Sequence, residues 1–84
     1  MKGTQGGPAK YLPSVNIEML ERQVWRTGRV VEAGGKNTKW KVYEFDENIG
    51  ASSGKETRFM RVEWSQGVIH GHPIDRSEFL KLSR

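Results

Sequence analysis

Two runs of alternating side chains, Thr57 to Ser65 and Val68 to Ile74, separated only by Gln66-Gly67, constrain this chain more than any other feature. A period of two marks a half-buried strand. Gln66-Gly67 suits a two-residue hairpin turn, the commonest hairpin connection. That turn sets Trp64 opposite Ile69 and Val62 opposite Gly71 on one face. On the other face it sets Glu63 opposite His70 and Arg61 opposite His72. A slip of one residue would put Glu63 against Ile69 and mix the faces, so the register is specified. The face with Met60, Val62, Trp64 and Ile69 is apolar and belongs under a helix. The other presents a carboxylate, an arginine and two imidazoles, with opposed Cβ atoms about 4.5–5.5 Å apart.

The helix to cover the apolar face is expected from about Val15 to Arg26. Ile17, Leu20 and Val24 follow i, i+3, i+7 spacing, and Trp25 extends the stripe. Ser14 or Asn16 supplies the N-cap, Glu18 and Glu21 lie in the early turns where the helix dipole favours anions, and Gly28 is the stop. Further strands are expected over Arg29 to Glu32 and Thr38 to Phe45, joined by a turn through Ala33-Gly34-Gly35-Lys36-Asn37. Asp46 to Glu56 reads as a long Gly/Ser loop. Asp75 to Leu82 reads as a short terminal helix with Phe79, Leu80 and Leu82 able to pack, and Trp25 and Trp40 as core. The expected fold is α+β: an N-terminal helix on a small antiparallel sheet of about four strands, then a short C-terminal helix. Residues 1–13, rich in Gly, Pro and Lys, form a leader that docks only through Tyr11 and Leu12. Residues 14–84 form the single domain.

Composition narrows the chemistry. The chain has 84 residues and no Cys, which excludes disulfides and thiolate metal sites. Fourteen Lys and Arg against ten Asp and Glu give +4, a balance suited to polyanions. No run approaches the roughly 20 apolar residues of a membrane span, so no membrane is expected. The N-terminal residues hold no apolar stretch of signal-peptide type.

The polar hairpin face suits RNA cleavage without a metal or cofactor. The 2′-hydroxyl must lose a proton, the phosphorane must be stabilised and the leaving 5′-oxygen must gain a proton. Glu63 or His70 can serve as base and His72 as acid, since imidazole exists in both protonation states near neutrality. Arg61 can stabilise charge on the phosphoryl oxygens. Lys41, Arg58 and Lys39 are candidates for flanking phosphates, and Tyr43, Phe45 and Phe59 for base stacking if exposed. Gly71 has two readings: room for a ligand, or room for the helix. The same four polar residues are also compatible with an ordinary solvated strand face.

The stretch from about Trp25 to Ile74 resembles the C-terminal toxin domains of bacterial polymorphic and contact-dependent inhibition systems. Arg26-Thr27-Gly28, Phe45-Asp46, Ile49-Gly50-Ala51, Glu56-Thr57-Arg58, Arg61-Val62-Glu63 and Ile69-His70-Gly71-His72-Pro73-Ile74 carry the likeness. The layout is similar to the barnase/EndoU/colicin/RelE group of ribonucleases. The resemblance implies a domain at the end of a larger exported protein, acting in the cytoplasm of a neighbouring cell, often on tRNA. It also implies a cognate, usually acidic, immunity protein covering the active site of an otherwise monomeric domain. Two other classes compete. A binding module would hold single-stranded nucleic acid without chemistry. A small cupin-like metal enzyme would use His70 and His72 with Glu63 or Glu78.

Overall fold

The structure, a computed structural model, describes residues 9–32 and 38–83. The first part of the leader, the Ala33–Asn37 turn with Lys36, and Arg84 lie outside the described residues. In chain order the elements are β1 (Lys10–Tyr11), α1 (Ile17–Thr27), β2 (Arg29–Val31), β3 (Thr38–Glu44), β4 (Gly50–Ser52), β5 (Lys55–Thr57), β6 (Phe59–Ser65), β7 (Val68–Ile74) and α2 (Arg76–Leu82). The fold is α+β, as expected. Strands β2-β3-β6-β7 form one antiparallel sheet in that order, and β1-β4-β5 form a second, smaller one.

The four-stranded sheet is built outward from the β6–β7 hairpin. Gln66 and Gly67 both have positive φ, 52° and 82°, as a two-residue turn matched to the strand twist requires. One face of the sheet carries Lys39, Lys41, Tyr43, Met60, Val62, Trp64, Ile69, Gly71 and Pro73, and α1 packs across it. Met60, Val62 and Val24 are fully buried there, with Val15, Leu20 and Trp25 packed around them. Asn16 caps α1, its Oδ1 accepting from Met19 N at 3.2 Å, and Gly28 N closes the helix on the Val24 carbonyl at 2.7 Å. Ile17 does not take the buried place expected of it; it is 41% exposed, and Val15 packs on the core instead.

The opposite face is not fully open. α2 lies over its lower end, where Phe79 stacks on Phe59 with ring centroids 4.5 Å apart. Val42, Phe59 and Ile74 form a second core cluster with Val31, Phe79 and Leu82 around it. Leu80, expected to pack, points outward and is 53% exposed.

The expected loop over Asp46 to Glu56 contains β4 and the first two residues of β5, joined through Ser53 and Gly54 at φ 54° and 79°. These strands have no alternating apolar pattern. They pair with each other, and the end of the leader adds a third strand beside β4: Tyr11 pairs with Gly50, Lys10 with Ala51, and Leu12 N donates to the Ile49 carbonyl at 2.9 Å. A Cβ on Gly50 would lie 2.1 Å from the Lys10 carbonyl oxygen, so the approach needs glycine. The expected strand from Thr57 is interrupted at Arg58. The buried Thr57 hydroxyl donates to the Ile74 carbonyl at 2.6 Å and accepts from Phe59 N, tying the two sheets together.

Candidate active site on the hairpin face

The hairpin register is the one the alternation demands: Glu63 opposite His70, Arg61 opposite His72, Val62 opposite Gly71, Trp64 opposite Ile69. Strand β3 then extends each polar pair into a row. Trp40, Glu63 and His70 form one row across β3, β6 and β7, and Val42, Arg61 and His72 form the next. His70 and His72 are exposed and Glu63 is half-buried. Among the described residues, none of these three side chains has a hydrogen-bond or ion-pair partner. All three are therefore available to a ligand.

Arg61 is held differently. Its side chain is one-fifth exposed, and Nη1 donates to Glu78 Oε2 at 3.1 Å. Its guanidinium lies 4.4 Å over the Trp40 ring, within reach of a cation–π interaction. Arg61 Nε and Trp40 Nε1 are buried without partners.

The residues assigned to RNA contact do not join this cluster. Lys39, Lys41 and Tyr43 point to the α1 face because their parity along β3 is opposite to that of Trp40. Lys41 Nζ donates to the Trp25 carbonyl and sits 4.6 Å over the Trp25 ring. Lys39 lies 5.8 Å from the Trp64 ring. Tyr43 packs edge-on against Phe45 at 4.8 Å. Phe59 has the right parity but is only 7% exposed beneath Phe79, so its ring is core and offers no stacking surface. Arg58 pairs with Glu44 at 2.6 Å near the far end of the hairpin.

Gly71 resolves in favour of the helix. Its N–H donates to Glu21 Oε2 of α1 at 2.7 Å, and a Cβ there would meet Met60 Cε at 2.2 Å. The ligand set of the metal alternative does not assemble among the described residues, and Glu78, one possible third ligand, is turned to Arg61.

Two residues of the site were not assigned to it from sequence. Trp40 was expected in the core. It is half-buried on the polar face, and its parity with Glu63 depends on a β3–β6 register that the intervening segment conceals. Glu78 reads from sequence only as a possible metal ligand. Its place three residues after Asp75 is the spacing of a helix cap, which masks any other role. One cleft of about 520 Å³ lies beside the start of α1, and another of about 660 Å³ lies between β2 and α2 at the β2 edge of this same face; none of Arg61, Glu63, His70 and His72 lines either. The site is an open sheet surface, a shape suited to a polymer. Compared with known proteins, the chain matches no family model, no curated protein and no solved structure.

Proposed function

We propose that the face formed by Arg61, Glu63, His70 and His72 cleaves RNA without a metal, by general acid–base transphosphorylation. The observation that carries this reading is the register: it sets a carboxylate against one imidazole and a guanidinium against another, on one accessible sheet face. His70 and His72 lie two residues apart on β7, a repeat of about 6.8 Å, which leaves room for a phosphodiester between them. The Glu63–His70 pair takes the 2′-hydroxyl proton. The 2′-oxygen bonds to phosphorus, the bond from phosphorus to the 5′-oxygen breaks, and His72 protonates that oxygen. Arg61, in the same row as His72, stabilises the charge on the non-bridging oxygens. The products are a 2′,3′-cyclic phosphate and a 5′-hydroxyl.

The setting we propose is that of a toxin domain carried by an exported protein, acting on tRNA in a neighbouring cell and neutralised by an acidic immunity protein. Its support is the sequence likeness between Trp25 and Ile74 and the net charge of +4. The test is incubation of the purified domain with total RNA and with tRNA in EDTA, beside His72→Ala. Discrete fragments from the wild type alone support the reading. RNA that stays intact while bound to the protein favours the binding module.

A further inference from the structure

We infer that Glu78 on α2 is a positioning residue for Arg61, fixing which edge of the guanidinium meets the scissile phosphate. The inference rests on the ribonuclease reading of the same face. Asp75-Arg76-Ser77-Glu78 has the spacing of a capping box, in which the fourth residue's side chain reaches back to the backbone N–H of the first. Half of that motif is present: Asp75 Oδ1 accepts from Glu78 N at 2.8 Å. The other half is absent among the described residues. The Glu78 carboxylate turns away from its own helix end and accepts from Arg61 Nη1 at 3.1 Å.

The consequence follows from the donor inventory of arginine. A guanidinium has five N–H donors in one plane. One on Nη1 goes to Glu78, and Nε is buried without a partner. Trp40 covers one face of the plane at 4.4 Å. The second Nη1 donor and the two on Nη2 remain for phosphoryl oxygens, and their plane is set before substrate arrives. Planar recognition of phosphate depends on that orientation. Glu78 and Trp40 thus act on opposite aspects of one side chain, carboxylate at the edge and indole at the face. A pair that served only to tie α2 to the sheet would affect stability and nothing else.

The experiment compares wild type, Glu78→Gln and Glu78→Ala by melting temperature, by kcat and KM for RNA cleavage in EDTA, and by the NMR signal of the Arg61 Nε–H. Gln is nearly isosteric and keeps one acceptor, so it preserves the fold if Ala does not. The expected result is a fall in kcat of about tenfold for Glu78→Ala and less for Glu78→Gln, because misorientation removes transition-state contact. KM should stay within about twofold, and the Arg61 signal should report a newly mobile guanidinium. Variants that melt lower yet keep the wild-type kcat and a rigid Arg61 overturn the inference. If the wild type itself leaves RNA intact, the ribonuclease reading fails, and the Arg61 signal decides this inference alone. Rigid in the wild type and mobile in Glu78→Ala upholds the positioning role; equal mobility in both refutes it.

Discussion

Replacing Gly71 by Ala tests how closely α1 sits on the hairpin. The added Cβ would lie 2.2 Å from Met60 Cε, 2.8 Å from Glu21 Cγ and 2.9 Å from the Tyr11 hydroxyl oxygen. Met60 is fully buried, so its methyl has no free volume to enter. Overpacking of this kind costs about 1–3 kcal/mol. If Glu21 is displaced, its bond to Gly71 N–H is lost as well, about 1.5–3 kcal/mol for a charged acceptor and nearer the lower figure at a half-buried site. Alanine recovers about 0.5–1 kcal/mol of backbone entropy relative to glycine. The net expectation is a loss of about 2–4 kcal/mol, or a melting temperature lower by roughly 10–25 °C for a domain of this size. Gly67→Ala is the control. Gly67 has φ +82° and nothing within 4 Å of an added Cβ, so only the left-handed conformation opposes it, at about 1–2 kcal/mol. Urea unfolding followed by tryptophan fluorescence measures both, with an unchanged m-value required for the comparison. A Gly71→Ala domain no less stable than Gly67→Ala would refute the close approach of α1 to β7.

Three further outcomes follow from the same packing. Burial, and secondarily the Glu21 carboxylate, raise the Tyr11 phenol well above its usual 10.0, so the folded state holds this proton more tightly than the unfolded chain. That contribution is fully present below pH 10 and is lost as pH rises beyond it; pH-dependent melts should show the wild type losing stability relative to Tyr11→Phe above about pH 10, while the two are similar near neutrality. Phe59→Ala should cost about 3–5 kcal/mol in chemical denaturation, as expected of a core ring rather than a surface stacking platform. Arg61→Ala should lower kcat for RNA cleavage by about 10²–10³-fold, whereas Lys39→Ala, on the opposite face, should change it by less than about threefold and leave the salt dependence of cleavage unaltered.

The parts of the fold legible in sequence are those fixed by local chemistry. The β6–β7 register follows from a two-residue turn and an alternation that tolerates no slip, and α1 follows from its cap and apolar spacing. Features that depend on distant pairing were hidden. β4 and β5 are short and lack a period, and the third strand of their sheet, Lys10–Tyr11, reaches β4 from across the whole length of α1 and β3. The side of the sheet covered by α2 was equally hidden, since Phe79 and Leu82 would suit either apolar face. The site divides in the same way. Its hairpin half, Arg61, Glu63, His70 and His72, was readable. Trp40 and Glu78 come from elements whose register or side was not, and for the same reason Tyr43, Lys39 and Lys41 read as sharing a face they do not share, and Phe59 as open where α2 covers it.

If the hairpin face cleaves RNA as proposed, the end groups of the fragments report its chemistry. Wild-type domain and purified tRNA are incubated in EDTA, and the fragments are analysed by mass spectrometry beside reactions of Glu63→Gln and His72→Ala. The expected products are 5′ fragments ending in a 2′,3′-cyclic phosphate and 3′ fragments beginning with a 5′-hydroxyl, both absent from the variant reactions. Fragments carrying 3′-hydroxyl and 5′-phosphate ends, cleavage that persists in His72→Ala, or tRNA left intact would contradict the proposed chemistry.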